Sequence, residues 1–252
     1  MIGIYDLNDA SLLDYKRRLE IYKNAGFTSV GLYLDSAYMR NEENYADIIK
    51  HARHIGLEVN QVHLDYRGSN LICENSDEYF SYVESKILEG IELNIKYLVL
   101  HASKGNTPPS IDDSHLFRLK GLMNKYSDKI TLAFENVRNN DNLNKILSAN
   151  IKGVSMCFDV GHAYCYSNIN QMISSNSNYI VCTHLHNNHG EDSHQLLMDG
   201  KINFKEVMDK LKDIKNLDHC LEVFPERGKI LSEDEFVSFV KQAYEEYLKV
   251  SI

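Results

Sequence analysis

Residues 154–194 read VSMCFDVGHAYCYSNINQMISSNSNYIVCTHLHNNHGEDSH. Two short β-type runs, 155–159 and 179–184, each end in a side chain that can bind a metal, Asp159 and His184. The segment between them is long enough for a helical crossover, as parallel neighbouring strands require. The same alternation runs to both ends of the chain. Further strands are expected at 2–5, 29–33, 58–63, 97–101, 131–135 and 220–224. Apolar residues at helical spacing fall between them. Leu12, Tyr15, Leu19 and Tyr22 form one stripe, Tyr79, Tyr82, Val83 and Ile87 a second, and Phe204, Val207, Met208 and Leu211 a third. Phe236, Phe239, Val240, Tyr244 and Tyr247 close the series. Asn8 or Asp9 is expected to cap the first helix and Ser232, with Glu235 three residues on, the last. Gly26, Gly56 and Gly153 are placed to supply left-handed C-caps. Eight strands alternate with eight helices, without a linker or a Gly-rich phosphate loop after the first strand. This pattern implies an α/β fold, one (β/α)₈ barrel domain spanning 1–252, rather than a doubly wound sheet.

The bulk composition narrows the function. Hydrophobic residues make up 43% of the 252 and supply a large core. With 27 basic and 36 acidic residues the net charge is −9, which opposes the lysine- and arginine-driven contacts that duplex DNA needs. No basic stretch leads into an apolar run at the N-terminus, and no segment approaches the roughly 18 apolar residues of a spanning helix, so no membrane role is expected. Cys73, Cys157, Cys165, Cys182 and Cys220 lack CxxC spacing and read as free thiols in a reducing cytoplasm.

The strand ends carry the chemistry. In a parallel barrel the catalytic groups gather where the strands terminate. Strands three to eight end on or beside His63, His101, Glu135, Asp159 with His162, His184 and Glu222. A single such residue is commonly a loop hydrogen-bonding group. Six in succession put carboxylates and imidazoles in one ring, where a divalent ion would resolve their mutual repulsion and desolvation. Mixed imidazole and carboxylate ligands suit zinc or manganese better than calcium. The loop 184–194 adds His186, His189, Asp192 and His194. Asp192 and His194 are spaced so that an extended loop turns both to one side; His186 and His189 read as loop or supporting residues.

At CFDVGHA and HLHNNHGEDSHQL, supported by VHLDY and VLHAS, the sequence resembles the xylose-isomerase-like barrel superfamily, which includes sugar isomerases, sugar epimerases and endonuclease IV. The resemblance implies a four-ligand metal site of Glu135, Asp159, His184 and Glu222, with His186 as the alternative ligand in strand seven. It also implies that His63 and His101, with Glu135 as bridge, resemble holders of a second ion, and that His162, Asp192 and His194 resemble those of a third. One to three ions of zinc or manganese are therefore expected. Several relatives of this kind are dimers or tetramers, so a homo-oligomer is expected too.

Two chemistries follow. A sugar or sugar phosphate isomerase or epimerase would use Glu135 and Glu222 as a proton-transferring pair about an enediolate, with His162 binding substrate or shuttling protons. A multi-zinc phosphoesterase of the endonuclease IV type would use all nine residues. The acidic charge and the loops after His63 and His101, with only Arg67 and Lys104 as basic residues, favour the small sugar over DNA. A phosphate group would be met by Arg67, Lys104, Arg138, Lys201 or Arg227, and Tyr5, Tyr33, Tyr66 and Tyr164 are candidates for a polar pocket wall.

Overall fold

The computed structural model describes residues 1–34, 44–64, 71–226 and 228–251. Tyr66, Arg67 and Arg227 lie outside these residues. The strands are β1 (Ile2–Tyr5), β2 (Ser29–Leu34), β3 (Gln61–Leu64), β4 (Tyr97–His101), β5 (Thr131–Glu135), β6 (Val154–Asp159), β7 (Ile180–Leu185) and β8 (Asp218–Leu221). They pair in parallel in sequence order, and β8 returns to β1, closing the expected barrel.

Strand periodicity sets what faces inward. Residues two apart share a face of a strand. Val99, Ala133, Cys157 and Cys182 pack together in one buried cluster, while their neighbours Leu98, Leu100, Leu132, Phe134 and Phe158 belong to the larger core. Continuing the inner row by one step reaches His101, Glu135 and Asp159, the last residues of their strands, and His184, the last but one of β7. An apolar floor thus gives way to a ring of ligand-type groups. The thiols stay free, four of them buried and Cys165 partly so.

The helices are α1 (Tyr15–Ala25), α2 (Tyr45–His54), α3 (Asp77–Glu92), α4 (Asp113–Tyr126), α5 (Asp141–Ser148), α6 (Val160–Tyr166), α7 (Ile169–Asn176), α8 (Phe204–Leu211) and α9 (Glu233–Val250). Among the described residues there are thus nine, not eight, because the crossover after β6 is broken in two. Asp159 caps α6 directly at the strand end, and Asn168 starts α7 afresh with its side chain accepting from Gln171 N.

Several boundaries differ from expectation, β7 among them, which runs 180–185 rather than 179–184. Helix α1 starts at Tyr15 behind Asp14, not behind Asn8 or Asp9, because Ser11 first pairs with Leu231 across the barrel rim. Leu12 consequently lies in that loop, 82% exposed. Strand β3 begins at Gln61, with Glu58 contributing an isolated bridge to Ser29. Strand β8 ends at Leu221, so Glu222 lies one residue beyond it. Glu222 N still donates to Leu185 O, but Phe224 N turns to His194 O, which draws the chain off the sheet. After α5 the left-handed position falls to Asn150 (φ 49), while Gly153 (φ 79) serves the turn into β6. Gly26 (φ 114) does cap α1, and Ser232 with Glu235 forms the expected capping box of α9.

At the rim, Arg18 is fully buried and forks onto Asp6, with Nε and Nη2 each 2.8 Å from a carboxylate oxygen. Its Nη1 donates to Leu13 O, and Tyr22 OH adds a hydrogen bond to Asp6. The pair ties the loop after β1 to α1. At the opposite end of the barrel His219 meets Thr183 Oγ1 at 2.9 Å. Burial pushes its imidazole down from 6.5 to about 4. Below pH 6.5 the unfolded chain takes up a proton that the folded chain refuses. Stability from this group is therefore full above pH 6.5 and lost as the pH falls towards 4. Because His219 is only partly shielded from water, the loss is about 2 kcal/mol rather than the roughly 3 of a full shift. Urea unfolding at pH 7 and 4.5 should register it, and His219→Gln should flatten that difference.

Candidate metal centre

The nine residues singled out from the sequence converge at the C-terminal mouth in three groups. Within each group the donor atoms lie within 4.8 Å of one another. His63, His101 and Glu135 form the first. Glu135, Asp159, His184 and Glu222 form the second, and all four are buried. His162, Asp192 and His194 fall in the third, joined there by His186.

Glu135 is the hinge of the arrangement. Its Oε2 lies 3.0 Å from His63 Nε2 and 2.8 Å from His101 Nε2, and its Oε1 lies 3.0 Å from His184 Nδ1 and 3.4 Å from His162 Nδ1. The rings are themselves oriented. His63 Nδ1 faces Leu64 O at 2.6 Å, His184 Nε2 faces Tyr5 OH at 3.0 Å, and His194 Nδ1 faces Glu222 O at 2.8 Å. Such partners fix which nitrogen is left for an ion.

Asp159 divides its two oxygens. Oδ1 accepts from His162 N at 2.6 Å as the cap of α6. Oδ2 is buried without a hydrogen-bond partner, as is Glu222 Oε2. Two orphaned carboxylate oxygens facing one imidazole are what a divalent cation would satisfy, so the donor set fits zinc or manganese. Asn136 was not foreseen. It accepts from Asp159 N and donates to Asp159 O, both at 2.8 Å, holding the end of β6 beside β5. Its only sequence signal is its place directly after Glu135.

The two strand-seven histidines differ in ring geometry. His184 enters the four-residue group. His186, fully buried, stacks on His194 with centroids 3.9 Å apart and planes 15° apart. An imidazole lone pair lies in the plane of its ring, so one ion cannot sit in both of two stacked planes. His186 is therefore near the third group without sharing an ion with His194 in this arrangement. Its Nε2 lies 3.1 Å from Asp159 Oδ1, yet neither ring nitrogen is aligned for a hydrogen bond. Gly161 makes room for this ring, since a Cβ there would come 2.0 Å from His186 Cε1. The HxH spacing, which puts both histidines on one face of a strand, was the available clue. His189 is exposed and paired with Asp199.

Electrostatics tie the groups together. Burial alone would raise the Glu135 carboxyl, but the His184 charge and hydrogen bonds from His101, His162 and His184 hold it well below the usual carboxylate range. Burial likewise opposes ionisation of Asp192, which hydrogen bonds from His162 and His194 overcome. Burial pulls the His194 imidazole down, yet the Asp192 hydrogen bond and the Glu222 charge lift it to about 9. The carboxylates need positive charge beside them, which imidazolium or a metal ion can supply.

Above the groups lies a cavity of 840 Å³. Tyr33, Glu222, His162 and Asp192 reach it, and its outer wall includes Asp9, Phe224, Glu226 and Lys229. Tyr33 OH donates to Glu222 Oε1 at 2.6 Å. Tyr5 is fully buried beneath, and Tyr164 is not part of the wall. Of the cations expected to meet a phosphate, Lys104, Arg138 and Lys201 do not line the cavity. Arg138 instead donates to Asn106 and Tyr166. Lys229, which does line it, lies 3.3 Å from Glu235. Among the described residues no helix is long and apolar enough to cross a membrane.

Comparison with known proteins agrees with this architecture. An uncharacterized protein of Methanocaldococcus jannaschii, MJ1311, is 37% identical over 67 residues, which is 25% of this chain and 23% of that protein. Among solved structures, D-psicose 3-epimerase from Clostridium cellulolyticum H10 superimposes with a TM-score of 0.76 at 13% identity, covering 98% of both chains. The IolI protein, solved with a bound zinc atom, gives 0.75 at 15% identity over 99% of this chain and 97% of its own. The 3-keto-D-glucoside 4-epimerase of E. coli gives 0.69 at 14% identity, covering 98% of both. At these identities the likeness is one of fold. The model of the xylose isomerase-like TIM barrel family matches residues 19–238, from within α1 to within α9, and the chain belongs to that family.

Proposed function

We propose that this chain is a divalent-metal-dependent isomerase or epimerase of a sugar or sugar phosphate. The observation that carries the reading is the buried group Glu135, Asp159, His184 and Glu222 beneath a cavity large enough for a single sugar. Zinc or manganese held by these four would polarise a substrate carbonyl as a Lewis acid. Glu222 then stands where a carbon-bound proton can be taken and returned, and His162 borders the same cavity for hydroxyl binding. The sugar epimerases among the structural neighbours support the substrate class. The acidic wall, with Lys229 drawn towards Glu235, suits a neutral sugar better than a polyanion.

A second reading, a multi-zinc phosphoesterase, is favoured by one observation: the two further groups, His63–His101–Glu135 and His162–Asp192–His194, are also assembled. Metal analysis of protein purified without chelator separates the two. About one tightly held ion per chain, with turnover of ketoses that ceases on chelation, is the expected result. Two or three ions, together with cleavage of abasic-site DNA and inertness towards sugars, would replace the sugar reading with the hydrolase.

A further inference from the structure

After Glu222 the chain leaves the sheet, because Phe224 N donates to His194 O. The departure brings Phe224 and Pro225, both half-buried, to the place where two cavities adjoin. One is the 840 Å³ space above the ligand groups. The other, of 380 Å³, lies against α9. Gln195, Phe224, Pro225, Glu226 and Lys229 line both. Pockets of roughly 300–1,000 Å³ take ligands of drug size. The first cavity alone is near the top of that range, with more room than one sugar ring fills. Its histidines and buried carboxylates crowd the end at the strand termini, so a sugar held there points its far end towards Phe224.

The outer cavity has the chemistry of a second sugar site. Leu196 and Phe239 give it an apolar side, and Ser238 and Gln242 a hydrogen-bonding one. A pyranose offers both matching surfaces: C–H groups that pack on an aromatic face, and hydroxyls that donate to amides and carboxylates. A phosphate matches less well. Among the described residues Lys229 is the one lysine or arginine lining either cavity, and its Nζ lies 3.3 Å from Glu235 Oε1. Glu226 on the same wall adds negative charge that repels an anion.

We propose that the outer cavity is a second sugar subsite, and that the substrate is a neutral ketose carrying a glycosyl group on its end remote from the metal centre. The proposal rests on the isomerase or epimerase reading and narrows its substrate class. Contacts to a remote, unreacting part of a substrate strengthen its binding and its transition state together, which raises kcat/KM. A glycosyl group seated in the outer cavity should therefore be worth about tenfold or more in kcat/KM.

The test compares D-fructose, its 4-O- and 6-O-glucosyl derivatives maltulose and isomaltulose, and D-fructose 6-phosphate, with protein loaded with zinc or manganese. Saturation-transfer NMR on the zinc-loaded protein shows whether the glucosyl protons touch the protein, independently of turnover. The expected result is a kcat/KM at least about tenfold higher for one of the disaccharides than for fructose, with its glucosyl protons saturated. Ser238, exposed on α9, lines only the outer cavity. Ser238→Trp should fill that space and lower the disaccharide to the kcat/KM of fructose, leaving fructose within about twofold. Preference for fructose or its phosphate over both disaccharides would overturn the proposal, as would a disaccharide preference that survives Ser238→Trp. Either result leaves the sugar isomerase reading standing. Saturated glucosyl protons without turnover of any probe would overturn that reading and keep the subsite. Absence of both would overturn the two together.

Discussion

Glu135→Gln is expected to abolish turnover, by on the order of 10³-fold or more, the scale seen when a preorganised electrostatic partner is removed from a reaction centre. The substitution preserves shape but replaces a buried anion facing four imidazoles with a neutral amide. One of its ends is an N–H donor that cannot accept from a ring or bind an ion. Glu135 belongs to two of the three ligand groups, so the loss should extend beyond rate. Metal analysis should find tightly bound ion missing from the variant, while far-ultraviolet circular dichroism and the melting curve in chelator match those of the parent. A variant that keeps both its metal content and its rate would remove Glu135 from the centre.

The second large effect concerns stability. Arg18→Met should cost about 3–5 kcal/mol, because it strands the Asp6 carboxylate, only 7% exposed, without its guanidinium. For a chain of this size that corresponds to a fall in Tm of roughly 10 °C. The comparison that isolates the cause is a double variant, Asp6→Leu with Arg18→Met. If the penalty is that of an unpaired buried charge, removing both partners should recover most of the stability, since well-packed apolar replacements of buried pairs are often nearly neutral. A double variant no more stable than the single one would show instead that the hydrogen bonds to Leu13 O and from Tyr22 dominate.

The barrel was legible in the sequence because β-type and helical periods alternate, and these are local properties of the chain. The ends of β4 and β5 were readable for the same reason: an apolar run stops at a polar group that faces the mouth. Expectation departed from structure where a distant segment competes. Asn8 and Asp9 are good caps by composition, yet α1 waits for Asp14 while Ser11 pairs with Leu231. Glu222 reads as the end of a strand, but the loop carrying His194 takes over the hydrogen bonding of Phe224. The ligand-type residues could be gathered from strand ends alone. What each one touches could not, since the Tyr33–Glu222 bond joins residues 189 positions apart and the room for His186 is set by Gly161 on another element.

Asp159 divides its carboxylate between a helix and the centre, and that division makes the two thermodynamic partners. If an ion bound at Oδ2 steadies the side chain, it also steadies the oxygen that caps α6, and by reciprocity whatever orders α6 tightens the hold on the ion. His162 and Gly161 ride on that helix, one bordering the cavity and the other making room for the buried ring beneath. Occupancy of the centre would thus be felt as rigidity in one wall of the mouth, and a substitution on the outer surface of α6 would act at a distance as a change in metal affinity.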